Sequence, residues 1–165
     1  MSQINPQIIN VCPTDFTRLL DFINDEFIPR NPMYALLNIS TQEAEISMKI
    51  LLQWWLKENC SYLMVDKNKN NTIIGICLNS IIKVNKSDPV VSAEEQYGKD
   101  VYKTFTENLK HIEKFIDQVD KGLAESINAD TEKTVLRVEI ICVANAYKCQ
   151  GWSTFIQKST IKINK

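Results

Sequence analysis

The 165-residue sequence holds four glycines, five prolines and one histidine, and its net formal charge is −1. Each scarcity excludes something. Without a basic excess there is no electrostatic footprint for nucleic acid or for an anionic membrane surface. No apolar run approaches the length of a membrane span, and the opening Met1-Ser2-Gln3-Ile4-Asn5-Pro6 lacks the basic start and apolar centre of a secretory signal. Those absences point to the cytoplasm. The cysteines at 12, 60, 77, 142 and 149 are odd in number and form no Cys-x-x-Cys pair, so neither a disulfide framework nor a zinc site is expected. Cys60, Cys77 and Cys142 lie among strand residues and read as buried, reduced thiols. His111 sits beside an apolar stripe and reads as a partly exposed structural residue. No repeat or low-complexity tract interrupts what is expected to be one domain over residues 1–165.

What is present is a hydrophobic fraction of 44% arranged in clear periods. Gln7 to Val11 is a short strand candidate. Pro13 opens a helix with Phe16, Leu19, Leu20, Ile23 and Phe27 on one face, and Pro29 with Pro32 ends it. Ser40-Thr41-Gln42-Glu43 is a capping box that starts a second helix, with Ile46, Ile50, Leu51, Trp54 and Trp55 as its stripe. Trp54, Trp55 and Trp152 are expected in the core. Ser61–Val65 and Thr72–Val84 flank the polar turn Lys67 to Asn71 and predict an antiparallel hairpin, with Gly75 at a bulge or close approach. Apolar residues at 101, 105, 109, 112, 116, 119 and 123 predict one long helix.

The stretch from Thr134 to Lys158 organises the rest. Val135 to Val143 is a nearly continuous apolar run broken only by Arg137 and Glu139, as in a strand covered on both faces. Ala144-Asn145-Ala146 ends it, and Lys148-Cys149-Gln150-Gly151-Trp152-Ser153-Thr154 leads into an amphipathic helix carrying Trp152, Phe155, Ile156 and Ile161. A strand that feeds a helix through a glycine-bearing turn leaves free N–H groups at the positive end of the helix dipole, which is a ready anion site.

That run resembles the acyl-CoA-binding signature of the GCN5-related N-acetyltransferase superfamily, Gln/Arg-x-x-Gly-x-Gly/Ala. Lysine stands at 148 in place of arginine, and serine stands at 153 in place of the small residue. Ile141-Cys142-Val143, Tyr147-Lys148 and Gly151 together look most like the insect arylalkylamine (dopamine-type) N-acetyltransferases. The resemblance covers essentially the whole chain. It implies an α/β (α+β) acyl-CoA N-acyltransferase fold, a mixed central sheet flanked by helices, ending before the family's C-terminal strands as in a C-terminally truncated member.

It also implies acetyl-CoA as co-substrate and a small arylalkylamine-type amine as acceptor, with no metal. The turn residues Lys148, Cys149, Gln150, Gly151, Trp152, Ser153 and Thr154 would cradle the pyrophosphate, and Ile141, Cys142 and Val143 would line the pantetheine. In the insect enzymes a glutamate after the first helix takes the proton from the amine. Asn31 occupies that place here, followed by Pro32, and both are expected at the substrate. An amide cannot accept that proton. Glu26 and Glu139 are the candidate replacements; the plainer readings are a solvated helix-end charge for Glu26 and a salt bridge beside Arg137 for Glu139. Two functional classes follow: an active N-acetyltransferase, or a non-catalytic relative that retains CoA or partner binding.

Overall fold

The computed structural model describes residues 4–84, 93–127 and 133–163. Its strands are β1 (Pro6–Asn10), β2 (Tyr62–Asp66), β3 (Thr72–Val84) and β4 (Lys133–Val143), in the order β1-β2-β3-β4. The α/β class holds. The sheet was expected to be mixed, but all three pairings among the described residues are antiparallel. Every residue of β2 is buried, because the sheet is covered on both faces there.

The β2–β3 hairpin turns through Lys67–Lys69. Asp66 caps the turn by accepting from Asn68 N at 3.1 Å, and Asn70 and Asn71 take left-handed backbone angles that asparagine tolerates. Gly75 is a close approach as expected. A Cβ there would lie 3.0 Å from Met64 Cε and 3.3 Å from the Cys142 carbonyl oxygen, next to a register shift at Met64/Val65.

The first helical segment departs from the single helix expected. A 3-10 turn (Pro13–Asp15) leads into α1 (Phe16–Phe22), then a widened π turn (Ile23–Phe27) and a second 3-10 turn (Ile28–Arg30). The widening falls just before Pro29, whose ring would clash with the carbonyl four residues back and which has no N–H to donate. Pro32 then starts α2 (Pro32–Leu36), with Asn31 Oδ1 accepting from Met33 N at 2.9 Å.

In α3 (Thr41–Trp55) the capping box is present, with Ser40 Oγ accepting from Glu43 N and Glu43 Oε2 from Ser40 N. Those bonds hold the Glu43 carboxyl below its ordinary value. Its stripe is rotated from the expected one. Ala44, Met48, Leu51, Leu52 and Trp55 are buried while Ile46 is 46% exposed and Trp54 is at the surface. Apolar side chains at both 46/50/54 and 44/48/51/55 satisfy helical spacing, so periodicity alone could not choose between the faces.

After α4 (Ala93–Tyr97), the expected long helix is two pieces, α5 (Lys99–Tyr102) and α6 (Glu107–Ser126). The hydroxyl of Thr104 donates to the Val101 carbonyl and that of Thr106 accepts from Leu109 N, so the two threonines compete with helix continuation between α5 and α6. Leu109 and Ile112 are buried as expected, but Val119 is 55% exposed, and Glu113 and Asp120 are buried instead. The final helix, α7 (Trp152–Ile163), plants Ile156 in the core and leaves Phe155 exposed. The side chains of Leu123 and Ile161 lie outside those described. Cys60, Cys77 and Cys142 are buried thiols outside any disulfide among the described residues, and His111 is exposed.

Candidate active site

Between Leu78 and Asn79 on β3 the pairing with β4 shifts, from Leu78↔Ile140 to Asn79↔Val138, so Glu139 is the extra residue of a bulge. A bulge re-aims side chains. Here Arg137, Glu139 and Ile140 all face a largely enclosed cavity of about 170 Å³. Its other walls are aromatic and aliphatic, from Phe27, Tyr34, Trp55 and Tyr97 among others, and acidic, from Glu113, Asp117 and Asp120 of α6. Four carboxylates thus face a single guanidinium.

Arg137 binds two of them. Its Nη1 donates to Asp120 Oδ2, and its Nε and Nη2 reach Glu139 Oε1, each at 2.7 Å. Ser80 Oγ also donates to Glu139 Oε1. The salt bridge expected for Glu139 is therefore present, and it stands inside the cavity wall. Burial, reinforced by Asp117 and Glu139, raises the Glu113 carboxyl to about 7. Burial also raises Tyr34 to about 12, with Glu113 adding to the effect, and raises Tyr97. The spacing of α6 hid these acids, because residues 109, 112 and 116 complete an apolar stripe without them. The usable signal was Glu113, Asp117 and Asp120 recurring at helical intervals on a nearby face.

A second, shallower groove runs along the end of β4. It is lined by Ile141, Cys142 and Val143 on one side and by Glu26, Phe27, Arg30, Asn31, Pro32 and Met33 on the other. Phe27, Asn31 and Met33 also line the cavity, so the two spaces share a wall. Arg30 bridges the groove, its Nη2 donating to Val143 O at 2.9 Å and to Cys142 Sγ at 3.2 Å while pairing with Glu26 Oε2 at 3.1 Å. Glu26 Oε2 in turn accepts from Asn145 N at 2.8 Å. Glu26 is held as a clasp between the first helical segment and the end of β4, which is more than the solvated charge it resembled. Burial pushes the Cys142 thiol up, with Arg30 opposing.

Beyond β4, Ala144 N returns to Ile74 O, a 3-10 turn follows (Asn145–Tyr147), and Lys148 is extended. Cys149 and Gly151 then take positive φ, 61° and 77°. Lys148, Cys149, Gln150, Gly151, Ser153 and Thr154 are exposed, and Trp152, half-buried, donates from its indole to Gln150 Oε1. The helix begins there, with Phe155 N bonding Gly151 O. The expected cradle residues are thus brought together at an open helix N-terminus, beyond the groove that holds Ile141, Cys142 and Val143.

No protein-family model and no curated protein sequence matches the chain. Solved structures do. Arylalkylamine N-acetyltransferase 2 from Aedes aegypti superimposes on 96% of this chain and 70% of its own, with TM-score 0.72 and 14% identity. The chain has the GCN5-related N-acetyltransferase fold. The same fold appears in the Drosophila melanogaster polyamine N-acetyltransferase, described as catalysing formation of N-acetylagmatine (TM-score 0.73, 11% identity, 96% of this chain and 70% of that). It also appears in the C-terminal condensation domain of Ebony bound to β-alanyl-dopamine (TM-score 0.69, 12% identity, 98% and 70%). Among the described residues of this acetyltransferase fold, no helix is long and apolar enough to cross a membrane.

Proposed function

We propose that the chain is an acetyl-CoA-dependent N-acetyltransferase that transfers an acetyl group to the amine of a small arylalkylamine-type substrate, by direct attack on the thioester. The observation that carries this is the shared wall between an acid- and aromatic-lined cavity and the groove along the end of β4. Carboxylates and ring faces suit an ammonium on an apolar arm. A groove along Ile141–Val143 suits an extended pantetheine.

The residues present fit such a co-substrate. N–H groups at the start of α7 and the Lys148 ammonium would take the pyrophosphate, at a turn where Cys149 and Gly151 hold left-handed angles. Asn31 borders the cavity proposed for the amine, and Pro32 the adjoining groove. Of the two candidate bases, Glu139 borders the cavity and Glu26 the groove, and both are engaged by arginines. One observation favours the non-catalytic alternative: Asn31, at the junction of the two spaces, offers an amide already used to cap α2.

Thermal unfolding of the purified chain with and without saturating acetyl-CoA tests the first half of the reading, since a ligand of the native state raises the midpoint. Thiol release from acetyl-CoA in the presence of phenethylamine tests the second half. A midpoint shift with no thiol release from any amine would favour the non-catalytic reading, and no shift at all would remove the enzyme and the CoA-binding relative, leaving a partner-binding one.

A further inference from the structure

Asn31 can orient an ammonium but cannot take its proton. Glu26 and Glu139 are tied down by Arg30 and Arg137. Glu113 differs from both. It is 9% exposed on the cavity wall, and it forms no ion pair among the described residues, since Arg137 is taken up by Asp120 and Glu139. Trp55, 5% exposed, lines the same cavity and supplies a ring face to it.

We propose that Glu113 is the group that takes the proton from the bound ammonium, from α6 rather than from the segment that holds position 31. The inference rests on the acetyltransferase reading. The ammonium gives one proton to the Glu113 carboxylate, leaving a neutral amine and a carboxylic acid. The amine nitrogen then forms a bond to the acetyl carbon as the carbon–sulfur bond breaks, and the second nitrogen proton leaves with the thiolate as free thiol.

The surroundings drive the first step in the right direction. Facing Glu113 are Asp117 and Asp120 from its own helix, Glu139 and Arg137 from β4, Tyr34 from α2 and Tyr97 from α4. The incoming cation favours the ionised carboxylate, and once the proton has crossed, burial among acids favours the neutral acid. Its raised pKa of about 7 places it near the optimum for a base at neutral pH.

The test is steady-state acetyl transfer from acetyl-CoA to phenethylamine and to 1,4-diaminobutane, between pH 5.5 and 9. Glu113→Gln should lower kcat by about 100-fold or more, flatten the acid limb of the pH profile, and leave the acetyl-CoA-induced rise in unfolding midpoint intact. Asn31→Glu in the Glu113→Gln background should recover at least about tenfold, because it restores a carboxylate to the same cavity. Glu113→Asp, which keeps the acid in the fold, should retain the limb with reduced kcat. Glu45→Gln, at a surface pair with Lys49, should match the wild type. An active wild type with an equally active Glu113→Gln variant overturns the proposal and leaves the acetyltransferase reading standing. A wild type that binds acetyl-CoA but acetylates neither amine overturns both.

Discussion

Arg30 Nη2 lies 2.9 Å from the carbonyl oxygen of Val143, 113 residues further along the chain. The same nitrogen contacts Cys142 Sγ and Glu26, so one guanidinium ties the segment after α1 to the last residues of β4. Arg30→Ala should cost roughly 1–2 kcal/mol in denaturant unfolding, as hydrogen bonds to a charged donor do. Arg30→Lys should recover little, because an ammonium lacks the fork that serves carbonyl and carboxylate together. Full recovery by lysine would show that charge alone matters.

Glu113 links stability to pH. Its carboxyl is raised from 4.5 to about 7 in the folded protein. Between those values the folded state keeps a proton that the unfolded chain releases, so stability falls as pH rises through this window. Glutamine mimics the neutral acid at every pH. Glu113→Gln should therefore equal the wild type below pH 4.5 and exceed it at pH 8 by up to about 3 kcal/mol. Unfolding midpoints at the two pH values decide it; a gain independent of pH would trace to packing.

Arg137 holds Asp120 and Glu139 together in the cavity wall. Arg137→Met leaves two buried carboxylates without their cation, and the expected loss is about 3–5 kcal/mol. A loss under about 1 kcal/mol, the range of exposed pairs, would mean that water reaches these acids.

Gly151 has φ +77°, and nothing lies within 4 Å of where its Cβ would be. Gly151→Ala therefore meets no clash and should cost only the left-handed strain, about 1–2 kcal/mol. It should also diminish the acetyl-CoA-induced midpoint shift if the turn cradles the pyrophosphate. An unchanged shift would place the anion elsewhere.

The strand–turn–helix of residues 133–163 was legible because its signals are local: an apolar run, a polar break, and a glycine before a helical period. The capping box at Ser40 and the close approach at Gly75 were legible for the same reason. The cavity was not. Its acids come from α6 and β4 and its aromatic walls from the first helical segment, α2, α3 and α4. Nothing in the spacing of Glu113, Asp117 and Asp120 says that Arg137 faces them. Glu26 looked like a solvated end charge because its partners, Arg30 and Asn145, are only partly local: one is a turn away and the other lies across the fold.

Glu139 is supernumerary to the ladder. Val138 pairs with Asn79 and Ile140 with Leu78, so the two registers meet across a residue that has no partner on β3. Deleting Glu139 would leave those pairs in place, and Arg137 would keep its face beside Asp120. What would be lost is one carboxylate from the cavity wall and the local bend that the extra residue gives the strand. The cavity thus owes one of its charges to the length of a strand, in a place where the ladder itself has no need of a residue.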